Sequence, residues 1–490
     1  MMSFIQTTKT GIARSTAVSV LALALAACAS QGGLKPQGTL LRADVLHAPT
    51  SLGADGLVPA AFPAADWWRQ LGDAQLNALV DEALTGHPSL DAADARLRQA
   101  EAQAGTARAD RLPSVNAGVG YTGLRLPESL AGEERGGHYA GSGRLSLDAR
   151  FAVDLWGGRR AAWEAAVDAA HAATIDAQAA RLMLSSQVVE AYVALDHAWR
   201  RHDVAGEEQV RSERALQLTR QRRNAGIDSD LQVRQAEARV PAARQQVQDS
   251  QQQIDAARNA LAALLGQGPD RGLRIARPRP LDPLPLRLPA QLPSELLGRR
   301  PDIVAARWRV EAADQQVKVA RTRFYPSLDL TALAGVVAPH FGDLLQSSSG
   351  VAYIGPAFSL PIFDGGRLRA GLAGSNAQRD LAVADYNQKV LDALRDVADQ
   401  VSALRSLETQ VTLQSDALQT ARSAFELAEQ RHRAGIGNYL DVLSAQQSLL
   451  QSQQQLADLQ SRQLLSSVRL NQALGGGYQP GPASIAHSTN

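Results

Sequence analysis

Arg144-Leu145-Ser146-Leu147-Asp148-Ala149-Arg150-Phe151-Ala152-Val153-Asp154-Leu155 alternates apolar and polar residues along an extended chain. Leu145, Leu147, Ala149, Phe151, Val153 and Leu155 share one face of an extended chain, and Arg144, Ser146, Asp148, Arg150 and Asp154 share the other. A strand about ten residues long, apolar on one face and charged on the other, fits an outer-membrane barrel with lipid outside and a polar lumen inside. A half-buried strand of a soluble sheet reads identically in isolation, so the surroundings decide. Upstream, Val115, Ala117, Val119 and Tyr121 alternate with Asn116, Gly118, Gly120 and Thr122, and a polar, Gly-rich loop from Gly132 to Gly143 joins the two runs. Two further runs, at roughly 327–337 and 351–362, bring the count to four strands. No stretch is apolar for 18 residues outside the N-terminus, so any crossing of a membrane falls to these strands.

The second pair of strands exists because the chain is written twice. His87-Pro88-Ser89-Leu90 recurs as Arg300-Pro301-Asp302-Ile303, and Leu112-Pro113-Ser114-Val115 recurs as Tyr325-Pro326-Ser327-Leu328. Trp156-Gly157-Gly158-Arg159 recurs as Asp364-Gly365-Gly366-Arg367, and Arg223-Asn224-Ala225-Gly226-Ile227 as Arg433-Ala434-Gly435-Ile436. Solenoid units run to roughly 20–50 residues, so this longer repeat is a duplicated module. Each copy reads helix, strand, strand, very long helix, tight turn, long helix. The first helix of copy one is expected from about Asp73 to Ala109. Between Arg159 and Arg223 there is no Pro and only Gly206. In the second copy Val383, Val390, Val397, Leu404, Val411, Leu418 and Phe425 keep a seven-residue spacing, the mark of a coiled-coil seam. A helix of about 65 residues would be about 100 Å long. Val442, Leu449, Leu456 and Leu470 continue the spacing in the returning helix, which runs to about Gly475.

Aromatic residues make up 4% of the chain, and 50 basic against 49 acidic residues leave a formal charge of +1. That balance gives no basic surplus for nucleic acid. Lys9 and Arg14 precede an apolar run from Ala17 to Ala27, a secretion signal too short to span a bilayer. It ends in Leu25-Ala26-Ala27-Cys28, which looks like a bacterial lipobox. In such lipoproteins the cysteine becomes the first mature residue and carries acyl chains such as palmitate, several of which anchor a protein stably. Ala29, where some lipoproteins carry Asp, points by the same resemblance to the outer membrane. An ordinary secretion signal with a chance cysteine is the alternative. The expected organisation is a signal peptide 1–27, an acylated extended segment 28–65, repeat one 66–267, a Pro-rich linker 268–293, repeat two 294–475 and a tail 476–490.

Four strands cannot close a barrel, because the smallest outer-membrane barrels have about eight. Self-association is therefore required, and here the residues match a family. Trp67-Trp68-Arg69-Gln70-Leu71-Gly72-Asp73, Arg299-Arg300-Pro301-Asp302-Ile303 and Phe324-Tyr325-Pro326-Ser327-Leu328 carry the resemblance. So do Gly355-Pro356-Ala357-Phe358-Ser359-Leu360-Pro361-Ile362-Phe363-Asp364-Gly365-Gly366-Arg367 and Ala434-Gly435-Ile436-Gly437-Asn438-Tyr439-Leu440-Asp441-Val442-Leu443. From Trp67 to Gly475 the chain resembles the TolC-like outer-membrane efflux proteins, in their NodT-type lipoprotein branch. The resemblance implies an α+β membrane protein, internally duplicated. It would assemble as a homotrimer with a 12-stranded outer-membrane β-barrel, four strands per chain, continued into the periplasm by a coiled-coil α-barrel. It further implies a passive, gated duct for drugs or other toxic compounds, docked on a periplasmic adaptor and an inner-membrane RND transporter. No cofactor, metal or enzymatic activity is implied.

By the same resemblance Leu440 would lie on the constricting ring with Asp441 beside it, and Ser444 stands where the family often has an acid, so the ring would carry less charge. A threefold carboxylate ring selects and closes. Asp441 could equally complete a helix cap. Ala225, Gly226 and Ile227, with Ala434, Gly435 and Ile436, would form the adaptor-docking tips, or serve as glycine C-caps for folding. Asp228 and Asp230 beside the first turn are weaker gate candidates that read first as caps, and Arg222, Arg223, Arg431 and Arg433 read first as cations offsetting the helix dipole, with a dedicated ionic role as the alternative. Ser229 with Gln232 offers a capping box, and Asn438 can cap the last helix.

Gly118-Val119-Gly120-Tyr121-Thr122-Gly123 matches a dinucleotide fingerprint but sits inside an alternating run and opens no helix. His197 and His202 are off a shared helical face and make no metal pair. Two rival readings remain at this level. One is a lipid-anchored periplasmic adaptor, which usually has a single hairpin and soluble β-domains; the other is a TolC-type duct for protein secretion.

Overall fold

The computed structural model describes residues 32–42, 61–132, 136–289 and 292–480. The signal at 1–27 and the acylation candidate Cys28 lie outside the described residues. The described residues divide into two compact units. One comprises residues up to Leu40, Leu97–Ala173 and Ala306–Tyr386; the other comprises Leu41–Arg96, Thr174–Ala305 and residues from Asn387 on.

In chain order the helices are α1 (Ala74–Gly86), α2 (Pro88–Ala109), α3 (Glu128–Ala131), α4 (Gly158–Asn224), α5 (Asp230–Leu264), α6 (Asp270–Leu273), α7 (Leu292–Arg299), α8 (Pro301–Thr322), α9 (Arg367–Arg433) and α10 (Tyr439–Ala473). The strands are β1 (Ser114–Arg125), β2 (Tyr139–Val153), β3 (Ser327–Ala338) and β4 (Gly350–Ser359). The duplication survives in the lengths: α4 and α9 both have 67 residues, α5 and α10 both have 35. None of the described helices is long and apolar enough to cross a membrane.

The first unit holds one antiparallel four-stranded sheet in the order β1-β2-β3-β4. Its register sorts the faces. Asp148 stands opposite Asn116 and Leu333, and Arg150 opposite Ser114 and Thr331, so the charges share one face. Val119 pairs with Leu145 and Leu145 with Val336, while Ala149 pairs with Ala332 and Ala332 with Ile354, giving an apolar face opposite. That apolar face is open to its surroundings: Val119 is 75%, Ile354 84% and Phe358 72% exposed. The dinucleotide-like glycines fall inside β1. Two boundaries differ from the expected ones. β2 begins at Tyr139, taking in part of the presumed loop, and ends at Val153, so Leu155 is outside it; β4 ends at Ser359. At the foot of the sheet, Trp156 stacks on Tyr325 at 4.9 Å and donates from Nε1 to the Pro326 carbonyl at 2.7 Å. Asp154 caps α4 through the Arg159 and Arg160 amides, and Asp364 caps α9 through the Gly366 and Leu368 amides. Val317, Ala320, Phe324 and Leu372 form a small core there, with Leu34 and Leu368 packed against it.

The second unit has the main core, built on Trp67, Leu76, Leu79, Val188, Tyr192, Ile254, Leu261, Leu464 and Val468. The expected single helix from Asp73 to Ala109 is two. His87 is extended (φ −81°, ψ 130°) because Pro88 disfavours helical geometry in the residue before it. Asp73 caps α1 from Oδ1, and its Oδ2 accepts from the Tyr192 hydroxyl at 2.9 Å and the Arg279 amide at 3.2 Å. Burial and this neighbouring carboxylate push the Tyr192 hydroxyl well above the usual phenol range. The Pro-rich stretch after 268 is extended apart from α6, and it packs: Ile275, Leu281, Leu284 and Leu288 are buried.

Candidate functional site

The two helix pairs α4–α5 and α9–α10 each turn through five residues, 225–229 and 434–438. Both turns have the same backbone. Gly226 donates to Arg223 O and Ile227 to Arg222 O, and Gly435 donates to His432 O and Ile436 to Arg431 O. These paired bonds satisfy the last carbonyls of each long helix and place glycine at φ +75° and +78°, a region costly for residues with a Cβ. Gly437 is required for a second reason: a Cβ there would lie 2.9 Å from Arg431 Cβ. The turns present Ala225, Gly226 and Ile227, and Ala434, Gly435 and Ile436, all exposed.

On α10, Tyr439, Val442, Gln446, Leu449 and Gln453 are buried at helical spacing. Leu440, Asp441 and Ser444 lie on the opposite, exposed face. Asn438 caps the helix, accepting from the Leu440 amide at 3.1 Å. Among the described residues the Asp441 carboxylate has no hydrogen-bond or ion-pair partner. In the first hairpin Ser229 and Gln232 form the expected capping box, the Ser229 amide donating to Gln232 Oε1 at 2.6 Å.

Asp228 departs from its reading as a cap. Its carboxylate, 3% exposed, accepts from Arg222 Nε at 3.0 and 3.2 Å, and the Arg222 side chain is 11% exposed. Arg222 Nη1 also donates to the His432 carbonyl at 2.7 Å, tying the first turn to the end of α9. His432 was not singled out in the sequence; its ring is buried, 5.6 Å from that of Tyr439. The only available hint was its place within Arg431-His432-Arg433, a last turn already rich in cations. Tyr439 is buried, and burial raises its pKa. The outward pairs, Arg223 with Asp230 and Arg220 with Glu237, are exposed and contribute little.

Behind the tips a polar layer joins α4 to α10. Gln446 donates to Glu208 at 2.6 Å, Arg211 to Glu208 at 3.1 Å and to Gln453 at 2.8 Å, and Gln453 to Glu207 at 2.7 Å. His197 meets Asp458 and His202 meets Ser250, so each is paired to its own partner. The α9 seam is buried at Val383, Val390, Val397 and Leu404, and only half-buried at Val411, Leu418 and Phe425, toward the tip.

The family model described as outer membrane efflux protein matches residues 79–267 and 292–476. The fusaric acid resistance protein FusA of Burkholderia cepacia is 40% identical over 374 residues, covering 74% of this chain and 69% of its own. The multidrug resistance outer membrane protein MdtP of Escherichia coli K12 is 32% identical over 477 residues, 96% of each chain. Among solved structures, the outer membrane protein VceC of Vibrio cholerae superposes with a TM-score of 0.79 at 37% identity, covering 85% of this chain and all of that one.

Proposed function

Because the chain belongs to the outer membrane efflux protein family, we propose that it is the outer-membrane channel of a tripartite efflux pump. In this reading three copies form a passive duct that carries small toxic molecules outward. The observation that carries it is the sheet: four strands, one face apolar and exposed, the other polar, with β1 and β4 open at its edges. Unpaired strand edges in lipid leave backbone groups unsatisfied at several kcal/mol each. Two copies would give eight strands, whose interior side chains fill. Three copies of the four-stranded sheet give twelve and leave a lumen. The half-buried seam of α9 toward its tip suits packing against neighbouring helices of the same assembly.

The tips then face the periplasm. Ile227 and Ile436, 61% and 71% exposed, give both turns an apolar surface suited to a periplasmic adaptor, which would connect the duct to an inner-membrane RND transporter. Leu440, Asp441 and Ser444 line the constriction, where an unpartnered carboxylate repeated about the axis repels its copies and selects among ions. Planar-bilayer recording tests this. The pair Leu440→Ala and Asp441→Ala is expected to raise single-channel conductance, and an unchanged conductance removes both residues from the gate.

Cys28 is the proposed acylation site. Leu34, packed beside Phe324 at the foot of the sheet, is six residues from it. Six residues reach about 20 Å, enough to set acyl chains into the leaflet around the barrel. Cys28→Ser is expected to lose the acyl mass by intact-protein mass spectrometry while still forming heat-modifiable oligomers. Retention of the added mass would place the modification elsewhere.

A further inference from the structure

His432 is the one buried histidine among the described residues, 2% exposed, and it sits in the last turn of α9 between the two tips. Its Nδ1 lies 3.4 Å from the Gly437 carbonyl oxygen. Its Nε2 lies 3.9 Å from Asp228 Oδ2 and has no hydrogen-bond partner. Both ring nitrogens therefore face acceptors. A neutral imidazole donates from one nitrogen and presents a lone pair at the other. Either neutral tautomer thus turns a lone pair toward a carbonyl or carboxylate oxygen, whereas the imidazolium donates to both.

The link spans the two hairpins, since Asp228 belongs to the first turn and His432 to the second pair. The surrounding charges come from every packed element. α4 contributes Arg222, bonded to Asp228, and Arg211 and Arg214, which line a cavity of about 100 Å³ that His432 also borders. α9 contributes Glu429 and Arg433, bonded to one another, with Arg431 next in sequence. α10 contributes the Tyr439 hydroxyl, which burial keeps neutral, and Arg239 of α5 acts on that hydroxyl. Asp228 and Glu429 set negative charge around the ring, and the arginines positive charge. The Arg222–Asp228 pair is available in both states, so protonation decides whether Asp228 gains a second donor. The cavity has room for water and gives the proton a route.

We propose that His432 is a proton-dependent positioning residue of the periplasmic tip: its protonation adds a hold on Asp228 that keeps the two turns together, and its loss loosens them. The duct then rests tighter in mild acid. This rests on the channel reading above, which a single experiment can separate from it. Full-length protein is recorded in planar bilayers between about pH 8 and about pH 5.5, the range in which histidine changes charge. Open-state occupancy of the wild type is expected to fall several-fold on acidification, and His432→Gln to flatten the profile. Should His432→Gln fail to assemble, Asp228→Asn removes the negative charge that the imidazolium faces and is expected to flatten it likewise. A variant that follows the wild-type profile, or a wild type without pH response, overturns the role of His432 and leaves the channel standing. No conductance at any pH overturns the channel reading and this inference with it.

Discussion

Ile354→Arg is expected to deplete the protein from the outer membrane, while Tyr353→Arg, one residue earlier on β4, leaves it in place. Ile354 stands opposite Ala332 on the exposed apolar face, and Tyr353 opposite Leu333 on the face that carries Asp148 and Arg150. An arginine on the lipid side of a barrel costs about 2–4 kcal/mol near the bilayer midplane, while lumen positions accept charge. Threefold repetition multiplies the first cost within one assembly. Heat-modifiable oligomer in outer-membrane fractions measures the result. Equal loss for both variants would mean that the two faces of the sheet meet the same medium.

Arg222→Ala is expected to loosen both tips at once. The substitution strands a carboxylate that is 3% exposed and removes the donor that holds the His432 carbonyl. Breaking one side of a buried ion pair costs about 3–5 kcal/mol, because the remaining charge stays buried. The loss falls on the turns, so proteolysis within 222–232 and open-state occupancy should both rise sharply while the sheet persists. Arg223→Ala is the control. Its pair with Asp230 is 51% and 77% exposed, a class of interaction worth under about 1 kcal/mol. Equal effects from the two variants would make the tie through Arg222 incidental.

The strands, turns and long helices were legible because each rests on a local period. Alternation along 144–153 gave the faces that the register then assigned. The repeated Ala-Gly-Ile marked two turns whose positive φ needs glycine. Boundaries were less legible where two local signals compete. A Gly-rich run reads as loop, yet Tyr139 to Gly143 extends β2, because pairing with β1 outweighs the glycine cost. A continuous apolar pattern hid the break that Pro88 imposes at His87. An ionic role for Arg222 was open in the sequence, but its partners at the tips were not legible. Arg222 and His432 are 210 residues apart, and nothing local marks an arginine in a last turn as reaching a distant carbonyl. Asp228 read as a cap for the same reason: its position fits one, and its real partner is a tertiary matter. The exposed face of Leu440, Asp441 and Ser444 follows from the burial of Tyr439, Val442 and Gln446, a pattern their types alone do not reveal.

On the proposed channel reading the four strands of one chain are one third of a barrel. Light scattering of the protein in mild detergent, corrected for bound detergent, counts the chains in a particle. Three chains per particle are expected. A stable monomer would contradict it, leaving the edges of β1 and β4 without partners and the sheet without a place in the membrane.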